Sequence, residues 1–422
     1  MNHFLGYKCS LCGAEYAPGE VDYVCPRHGD MGNLDVVFDY AFINRAASPE
    51  TVSASREASL WRYLPLLPVG DPGFADTPLH AAGWTPFYRA GRLAADLGLR
   101  QVYLKDDGRN PTASFKDRAS AVVVARAREI GAPVIAAAST GNAGAALAGM
   151  AAAVGQPAVI LAPETAPQAK VAQLLMFGAK VLLVRGNYDQ AFDLTLQASR
   201  EFGWYCRNTG YNPFTLEGKK TASLEICEQF SALTGDAPRG KWQTPDRIFV
   251  SVGDGNIISG LHKGLKDLFA LGWIDRVPKL MGVQAEGSAA CANAWAAQTE
   301  TITPVSAQTL ADSISVDLPR DGVRAVRAVR ETGGIFLTVS DAEILDAMRA
   351  LARRAAVFAE PAGATAYAGL VKAAGQGQVD AAESLVVLNT GNGLKDVKSA
   401  MQAAGEAVKI DPTLAAVRQA VA

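Results

Sequence analysis

The chain has 422 residues, with 40 lysines and arginines against 42 aspartates and glutamates, and 49% of its residues are hydrophobic. At about 100–200 residues per domain, this length predicts two or three domains with a large buried core, and the low charge content excludes wholesale disorder. A formal net charge of −2 gives no electrostatic reason to expect a nucleic acid or an anionic membrane as a partner. The first residues do not join a basic segment to an apolar core, so we expect no signal peptide and a cytoplasmic protein.

Three of the six cysteines lie close together near the amino terminus. Cys9 and Cys12 are separated by two residues, and the same spacing recurs at Cys25 and His28 after twelve intervening residues. Three thiolates and one imidazole are the donors of a tetrahedral zinc site, and an ion held by four protein ligands would be structural. The alternative is a small ribbon whose metal site has been lost. We therefore expect a zinc-ribbon-like module over residues 1–45.

Beyond a proline-rich connection that ends near residue 80, short apolar segments alternate with segments of helical pattern. The predicted strands are 102–105, 134–138, 158–161, 181–184, 247–251, 280–284 and 385–388. The predicted helices include 115–129, 168–177, 191–202 and 216–229. Arginines at helical spacing predict a solvated helix face: Arg320, Arg324, Arg327 and Arg330. The alternation favours an α/β fold with mostly parallel sheets, in which functional loops lie at the carboxyl ends of strands.

One stretch, residues 131–163, carries no charged side chain and is long enough by count to cross a bilayer. Its prolines and polar residues divide it into strand, polar loop, helix, turn and strand. We therefore interpret it as a buried βαβ unit rather than a membrane span, and we expect no membrane partner.

Three glycine-containing loops each follow a predicted strand and open a predicted helix: 139–144, 253–256 and 389–393. Free backbone N–H groups at such positions favour anions. The pattern GxxxxGK[ST] and the GxSxG elbow are absent, and no strand is followed by a complete GxGxxG. The three loops together predict a ligand with more than one anionic group.

Residues 110–118 read N-P-T-A-S-F-K-D-R and resemble the lysine motif P-T-x-S-F-K-D-R of pyridoxal-phosphate-dependent enzymes of fold type II, the tryptophan synthase β-like superfamily. Within that superfamily the segment is most similar to that of threonine synthases, and further segments that resemble threonine synthases are spread over most of the chain. Residues 212–221 resemble the threonine synthase segment N-P-x-R-x-E-G-x-K-T, residues 360–363 the E-P-A segment, and residues 390–396 the segment T-G-H-G-L-K-D. An amino-terminal cysteine ribbon is also common in threonine synthases.

The resemblance implies a fold type II enzyme with two α/β three-layer domains of mostly parallel sheet beside the ribbon module. We expect residues 46–110 and 216–410 to form the large cofactor-binding domain, and residues 111–215 a smaller mobile domain. Residues 411–422 are expected to form a tail helix. A homodimer and a small amino-acid substrate are implied as well.

The resemblance also implies a role for each matching residue. Lys116 would carry pyridoxal 5′-phosphate covalently and move protons at the substrate α and β carbons, as a neutral amine whose pKa is lowered by burial behind Phe115. Asn142 would bond the phenolic oxygen of the ring, and Thr390 the pyridine nitrogen. A hydroxyl there leaves the ring nitrogen uncharged and favours elimination over transamination. The cofactor phosphate would be held by Gly253, Asp254, Gly255 and Asn256.

The substrate residues implied are Ser139, Thr140, Gly141, Asn142, Asn212 and Lys220, and the activity implied converts O-phospho-L-homoserine and water to L-threonine and phosphate. The chain departs from threonine synthases at two usual arginines, which are Thr215 and Ser315 here, at the histidine of T-G-H-G, which is Asn392, and in a phosphate loop that is one residue shorter. The candidates to replace those arginines are Lys219, Lys220, Asn212 and Arg118, although the two lysines also fit a solvated helix turn. Residues 309–316 resemble the segment T-I-A-D-G-I-A-V of dehydratases. Two alternatives therefore stay open: β-elimination or β-replacement on serine, threonine or O-phosphoserine, and a catalytically silent protein.

Overall fold

The computed structural model describes residues 3–139, 141–166, 168–235 and 238–421. In chain order the strands are β1 (Phe4–Cys9), β2 (Glu15–Tyr16), β3 (Leu34–Phe38), β4 (Phe87–Arg89), β5 (Gln101–Asp106), β6 (Ile135–Ala138), β7 (Ala158–Pro163), β8 (Lys180–Val184), β9 (Tyr205–Cys206), β10 (Arg247–Ser251), β11 (Lys279–Ala285), β12 (Phe336–Val339) and β13 (Ser384–Asn389). They form a small antiparallel sheet and two larger, mostly parallel ones.

The α-helices, again in chain order, lie between and around these strands. They are α1 (Tyr40–Ala46), α2 (Pro49–Ser53), α3 (Gly91–Asp96), α4 (Lys116–Glu129), α5 (Asn142–Ala153), α6 (Gln168–Met176), α7 (Tyr188–Phe202), α8 (Pro213–Thr234), α9 (Asn256–Ala270), α10 (Ala290–Ala296), α11 (Gly322–Glu331), α12 (Asp341–Ala355), α13 (Pro361–Gly375), α14 (Val397–Ala404) and α15 (Leu414–Val421). Across the described ranges, no helix combines the length and the apolar character that a bilayer crossing needs.

The amino-terminal ribbon is the three-stranded sheet β2-β1-β3, in which both pairings are antiparallel. Leu34, Val36 and Phe38 alternate with less buried neighbours along β3, as expected for a strand that covers a core with one face. The ring of Phe38 lies 4.1 Å from the ammonium of Lys220 in α8, so the ribbon packs directly on the body of the protein.

The four-stranded sheet has the order β8-β7-β6-β9 and is parallel throughout. Its central unit β6–α5–β7 lies within residues 131–163, which confirms the buried βαβ interpretation of that charge-free stretch. The small side chains allow close packing of α5. A Cβ atom at Gly149 would lie 2.4 Å from Cγ2 of Thr112, so a larger residue would not fit.

The six-stranded sheet has the order β12-β11-β10-β13-β5-β4 and is parallel except where β4 pairs with β5. All seven predicted strands are confirmed. Strands β4, β9 and β12 were not predicted, because each has only two to four residues and is too short to show a pattern. Helices α7 and α8 begin three residues before the predicted starts, because Asn187 and Asn212 cap them with side-chain oxygens. The parallel sheets confirm the α/β class.

The predicted solvated face of α11 is wrong for Arg324. This arginine is 8% exposed and pairs with Asp321 and, at 2.8 Å, with Asp35 of the ribbon. Arg327 also donates to the carbonyl oxygen of Ser10. The ribbon packs against this face of α11. The spacing of arginines along a helix cannot predict that a distant segment of the chain will pack against them.

Candidate active site and metal centre

The three anion-favouring loops meet at the carboxyl ends of β6, β10 and β13, around two adjoining cavities. The larger has a volume of about 330 Å³, and its lining includes five predicted site residues: Lys116, Ser139, Gly141, Asn142 and Asp254. The smaller has a volume of about 50 Å³, and its lining includes six: Lys116, Gly253, Asp254, Gly255, Asn256 and Thr390. Thr140 lies outside the described residues. The structure therefore brings most of the predicted site residues to one place.

Lys116 is the first residue of α4 and lines both cavities. Burial lowers the pKa of its amine, whereas the Glu360 carboxylate raises it. The next residue, Asp117, accepts hydrogen bonds from the backbone and hydroxyl of Thr112 at 2.7 and 2.5 Å. The carboxylate beside the lysine thus holds the preceding loop, and it leaves the amine available to a ligand.

The ring-binding candidates lie at the ends of two loops. Asn142 opens α5, and its amide donates to Oε1 of Glu360 at 2.7 Å. The carbonyl oxygen of Thr390 accepts from the backbone of Phe115 at 2.9 Å, which ties β13 to the segment before Lys116. The hydroxyl of Ser139 accepts from the backbone of Gly141 and Gly144 within its own loop.

Glu360 is a site residue that the sequence reasoning matched to a motif but gave no role. It lines the smaller cavity, and burial raises the pKa of its carboxyl to about 7 against the opposing effect of Lys116. A Cβ atom at Gly391 would lie 2.1 Å from Oε1 of Glu360, which explains a glycine beside Thr390. The sequence feature that could have identified Glu360 is an acidic residue immediately before the proline that starts α13.

The loop 253–256 forms a narrow backbone cradle at the amino terminus of α9. A Cβ atom at Gly253 would lie 2.8 Å from Cα of Ile314, and one at Gly255 would lie 2.6 Å from the carbonyl oxygen of Asp321. Gly255 also has a φ of +89°, which other residues rarely adopt. These features fit a phosphate group, since backbone N–H groups at a helix amino terminus bind anions. Together with Lys116 and Thr390 they fit pyridoxal phosphate.

The remaining residues proposed for the substrate are not brought to the cavities. The amide of Asn212 donates to the carbonyl oxygen of Cys206 while its oxygen caps α8. Lys220 is neither solvated nor near the cavities, because it is buried in ion pairs with Glu217 and Asp267. Arg118 is likewise buried in a network with other acidic groups, Asp107 and Glu225.

Two buried cations near the cavities have no carboxylate within ion-pairing distance among the residues described. Lys219 lines the smaller cavity. Arg207 donates from Nη1 to Oγ1 of Thr209 at 2.8 Å, and Thr209 lines both cavities. Its Nη2 is buried and has no hydrogen-bond partner in the part of the chain that is described. No sequence signal predicts a role for Arg207, since nothing local distinguishes it from a surface arginine.

The ribbon brings Cys9, Cys12, Cys25 and His28 together, with candidate ligand atoms all within 4.8 Å of one another. The sulfur atoms of Cys12 and Cys25 are 3.9 Å apart. Two thiolates bound to one tetrahedral zinc ion at Zn–S distances of about 2.3 Å would be separated by about 3.8 Å. The hydroxyl of Tyr16 lies 3.0 Å from the Cys25 sulfur. The donor set and its spacing therefore fit zinc.

Comparisons with known proteins agree with this geometry. The family model "Pyridoxal-phosphate dependent enzyme" matches residues 79–391. The threonine synthase of Methanocaldococcus jannaschii is 39% identical over 406 residues, 96% of each chain, and that of Methanosarcina acetivorans is 38% identical over 416 residues, 98% of each.

Among solved structures, the processed form of threonine deaminase isoform 2 from Solanum lycopersicum has a TM-score of 0.64 at 22% identity. The match covers 82% of this chain and 88% of that one. The likeness shows a shared fold and confirms the fold type II prediction. The chain therefore belongs to the family of pyridoxal-phosphate-dependent enzymes and, within it, to the threonine synthases.

Proposed function

We propose that this enzyme is a threonine synthase that uses pyridoxal 5′-phosphate to convert O-phospho-L-homoserine and water to L-threonine and phosphate. The observation that carries the proposal is the sequence identity to threonine synthases, which is 38–39% over 96–98% of the chain in two relatives and 35% over 81% of the chain in another. It is supported by the meeting of Lys116, Asn142 and Thr390 with the loop 253–256 around the two cavities.

The cofactor, when bound, supplies an electron sink for negative charge that develops on the substrate carbons. Lys116 carries the cofactor and moves protons at Cα and Cβ of the substrate. The lowered pKa of its amine suits this work, because only a neutral amine can accept a proton. Asn142 would orient the ring of the cofactor through its phenolic oxygen. Thr390 would hold the pyridine nitrogen with a hydroxyl, and a hydroxyl there would leave that nitrogen uncharged, which favours elimination.

The substrate carboxylate is bound in this proposal by the loop that holds Ser139, Thr140 and Gly141. Its position at the start of α5, an Ala-rich helix without acidic residues in the first turn, favours an anion. Asn212 and Lys220 are left out of the proposed site, since both side chains are engaged elsewhere.

The substrate phosphate needs positive charge that the usual arginines do not provide, because Thr215 and Ser315 replace them. We assign this role to Arg207 and Arg320. Arg207 contacts cavity-lining Thr209 and has a buried Nη2 without a partner in the described chain. Arg320 lines the larger cavity and pairs with Asp189 at 2.6 Å.

Assays of phosphate release and threonine formation from O-phosphohomoserine test the proposal. O-phosphoserine, serine and threonine are assayed in parallel as alternative substrates. We expect threonine and phosphate in equal amounts only from O-phosphohomoserine. Keto acid from serine or threonine, without threonine from O-phosphohomoserine, would support the dehydratase alternative instead. The purified protein should absorb at about 410–420 nm, and this band should disappear in Lys116→Ala. A band that persists would contradict the role of Lys116.

We further propose that the ribbon binds one structural zinc ion through Cys9, Cys12, Cys25 and His28. Metal analysis of the wild type against Cys9→Ser tests this, because the variant lacks one of the four ligands. Less than about half a zinc ion per wild-type chain would favour a ribbon that has lost its metal.

On the resemblance alone, we propose a cytoplasmic homodimer in which residues 111–215 form a mobile domain and residues 46–110 with 216–410 form the large one. Sedimentation velocity tests the dimer. Hydrogen exchange with and without substrate tests the mobile domain, where protection should rise on binding.

A further inference from the structure

Lys219 is a fully buried lysine on α8 that lines the smaller cavity. It reaches this position because α8 and α9 pack closely. A Cβ atom at Gly260 of α9 would lie 2.8 Å from Cβ of Lys219, so the glycine permits the approach. The ammonium therefore lies beside the first turn of α9, where the loop 253–256 ends.

The polar contact of the Lys219 ammonium within the described chain is Oδ1 of Asn256. The neighbouring Lys220 is also fully buried, but Glu217 and Asp267 neutralise it. No such carboxylate pairs with Lys219 in the described ranges. Burial lowers the pKa of Lys219 well below its usual value, and Lys116, when charged, and Arg207 lower it further. An amine buried in this way carries its charge only beside an anion, and the smaller cavity next to it has room for one.

We propose that Lys219 binds the phosphate group of the cofactor and is the principal cation of the phosphate site. This inference rests on the cofactor named in the proposed function. The sequence left open that Lys219 contacts a phosphate on the substrate, but two observations favour the cofactor phosphate. Lys219 lines the small cavity with Gly253, Gly255 and Thr390, and it does not line the larger cavity with Ser139.

Asp254 strengthens the case for such a cation. This residue lines the smaller cavity, and burial raises the pKa of its carboxyl while the charge of Lys219 lowers it. A phosphate dianion bound to the loop 253–256 would lie close to both the carboxyl group of Asp254 and the amino terminus of α9. Backbone N–H groups alone carry only partial positive charge, so a full cation at the same place offsets the repulsion.

Asn256 positions the ammonium of Lys219. While its oxygen accepts from Lys219, its amide donates to Oδ2 of Asp321 at 2.7 Å. Asp321 is in turn paired with Arg324. Because both ends of the Asn256 amide are held, the ammonium has a defined position before the phosphate arrives.

The test compares the binding of pyridoxal phosphate and of pyridoxal, which lacks the phosphate, to protein freed of cofactor. We expect Lys219→Gln to weaken pyridoxal phosphate about 10–100-fold, the usual range for a lost charged hydrogen bond, and to change pyridoxal less than about twofold. The matched control is Lys266→Gln, an exposed lysine of α9, which should change neither. Unchanged affinity for pyridoxal phosphate in Lys219→Gln, or an equal loss for both ligands, would overturn the proposal.

Thermal unfolding of Lys219→Met separates this role from a structural one. Removal of a buried amine that has no carboxylate partner should leave the melting temperature of the cofactor-free protein unchanged or raise it. The increase in melting temperature that pyridoxal phosphate produces should become smaller. A melting temperature lowered by about 5 °C or more without cofactor would make Lys219 structural and overturn the proposal. Neither measurement requires threonine formation, so a failure of the proposed activity is distinguishable from a failure of this inference.

Discussion

At the scale of single residues, Glu360 and Lys116 show how burial prepares the site. Burial raises the pKa of the Glu360 carboxyl to about 7 and lowers the pKa of the Lys116 amine. Both shifts favour the uncharged forms of the two groups. A neutral amine is the form that accepts protons, so the same burial that is costly for folding serves the proposed chemistry.

The raised pKa of Glu360 predicts a pH dependence of stability. Between about pH 4.5 and 7 the folded protein keeps a proton that the unfolded chain has released, so the unfolding free energy should fall as pH rises through this window. The slope has an upper limit of about 1.4 kcal/mol per pH unit. Urea unfolding of the cofactor-free wild type and Glu360→Gln at pH 5 and 7.5 measures it, since glutamine removes this contribution. The exposed Glu406→Gln should retain the wild-type slope, and a Glu360→Gln protein that also retains it would contradict the assignment.

A second prediction at this scale concerns Arg207. Arg207→Gln should raise KM for O-phosphohomoserine about 10–100-fold, because a charged hydrogen bond to the substrate phosphate is lost, and should leave the cofactor absorbance unchanged. Burial lowers the pKa of Arg207 to about 10, so the group is still charged at neutral pH. Arg200→Gln, which changes an arginine with 65% side-chain exposure on α7, is the control. An unchanged KM in Arg207→Gln would remove this residue from the proposed substrate site.

At the scale of elements, the sequence predicted the strands, the buried βαβ unit and the three loops at strand ends, because periodicity and turn residues are local signals. The roles of Lys219 and Arg207 depend on which element packs against them. Lys219 meets Asn256, a residue 37 positions away, only because α9 packs on α8. Lys219 and Lys220 are adjacent and chemically identical, yet one lies at the cavity and the other in an ion cluster. The motif over residues 212–221 singles out Lys220 and not Lys219, so the sequence pattern favours the lysine that lies away from the cavity.

The close packing of α8 on α9 predicts that a glycine-to-alanine substitution affects the unfolding free energy differently at two positions. Gly260→Ala places a Cβ atom 2.8 Å from Cβ of Lys219 and should lower the unfolding free energy by about 1–3 kcal/mol. Gly375→Ala, at the end of α13, meets no atom within 4 Å and should be neutral or raise that energy by up to about 1 kcal/mol. Urea unfolding of both variants measures the difference. Equal effects at the two positions would contradict the close approach of the helices.

At the scale of the whole molecule, one continuous set of contacts joins the ribbon to the loop 253–256. Arg324 binds Asp35 of the ribbon at 2.8 Å and also Asp321, and Asp321 accepts a hydrogen bond from Asn256 at the end of that loop. The ribbon therefore helps to hold the loop 253–256 in place. We expect it to affect cofactor binding although it carries no predicted catalytic residue.

Arg324→Gln tests that connection, because it leaves Asp321 buried without its cation. Loss of one partner of a buried ion pair should lower the unfolding free energy by about 3–5 kcal/mol, and the affinity for pyridoxal phosphate should fall because Asn256 loses its fixed orientation. Arg330→Gln, on the same helix and with 35% side-chain exposure, should change the unfolding free energy by less than about 1 kcal/mol and leave cofactor affinity unchanged. Urea unfolding and cofactor titration measure the two effects. If Arg324→Gln is destabilised but binds the cofactor as the wild type does, the ribbon supports the fold without supporting the phosphate site.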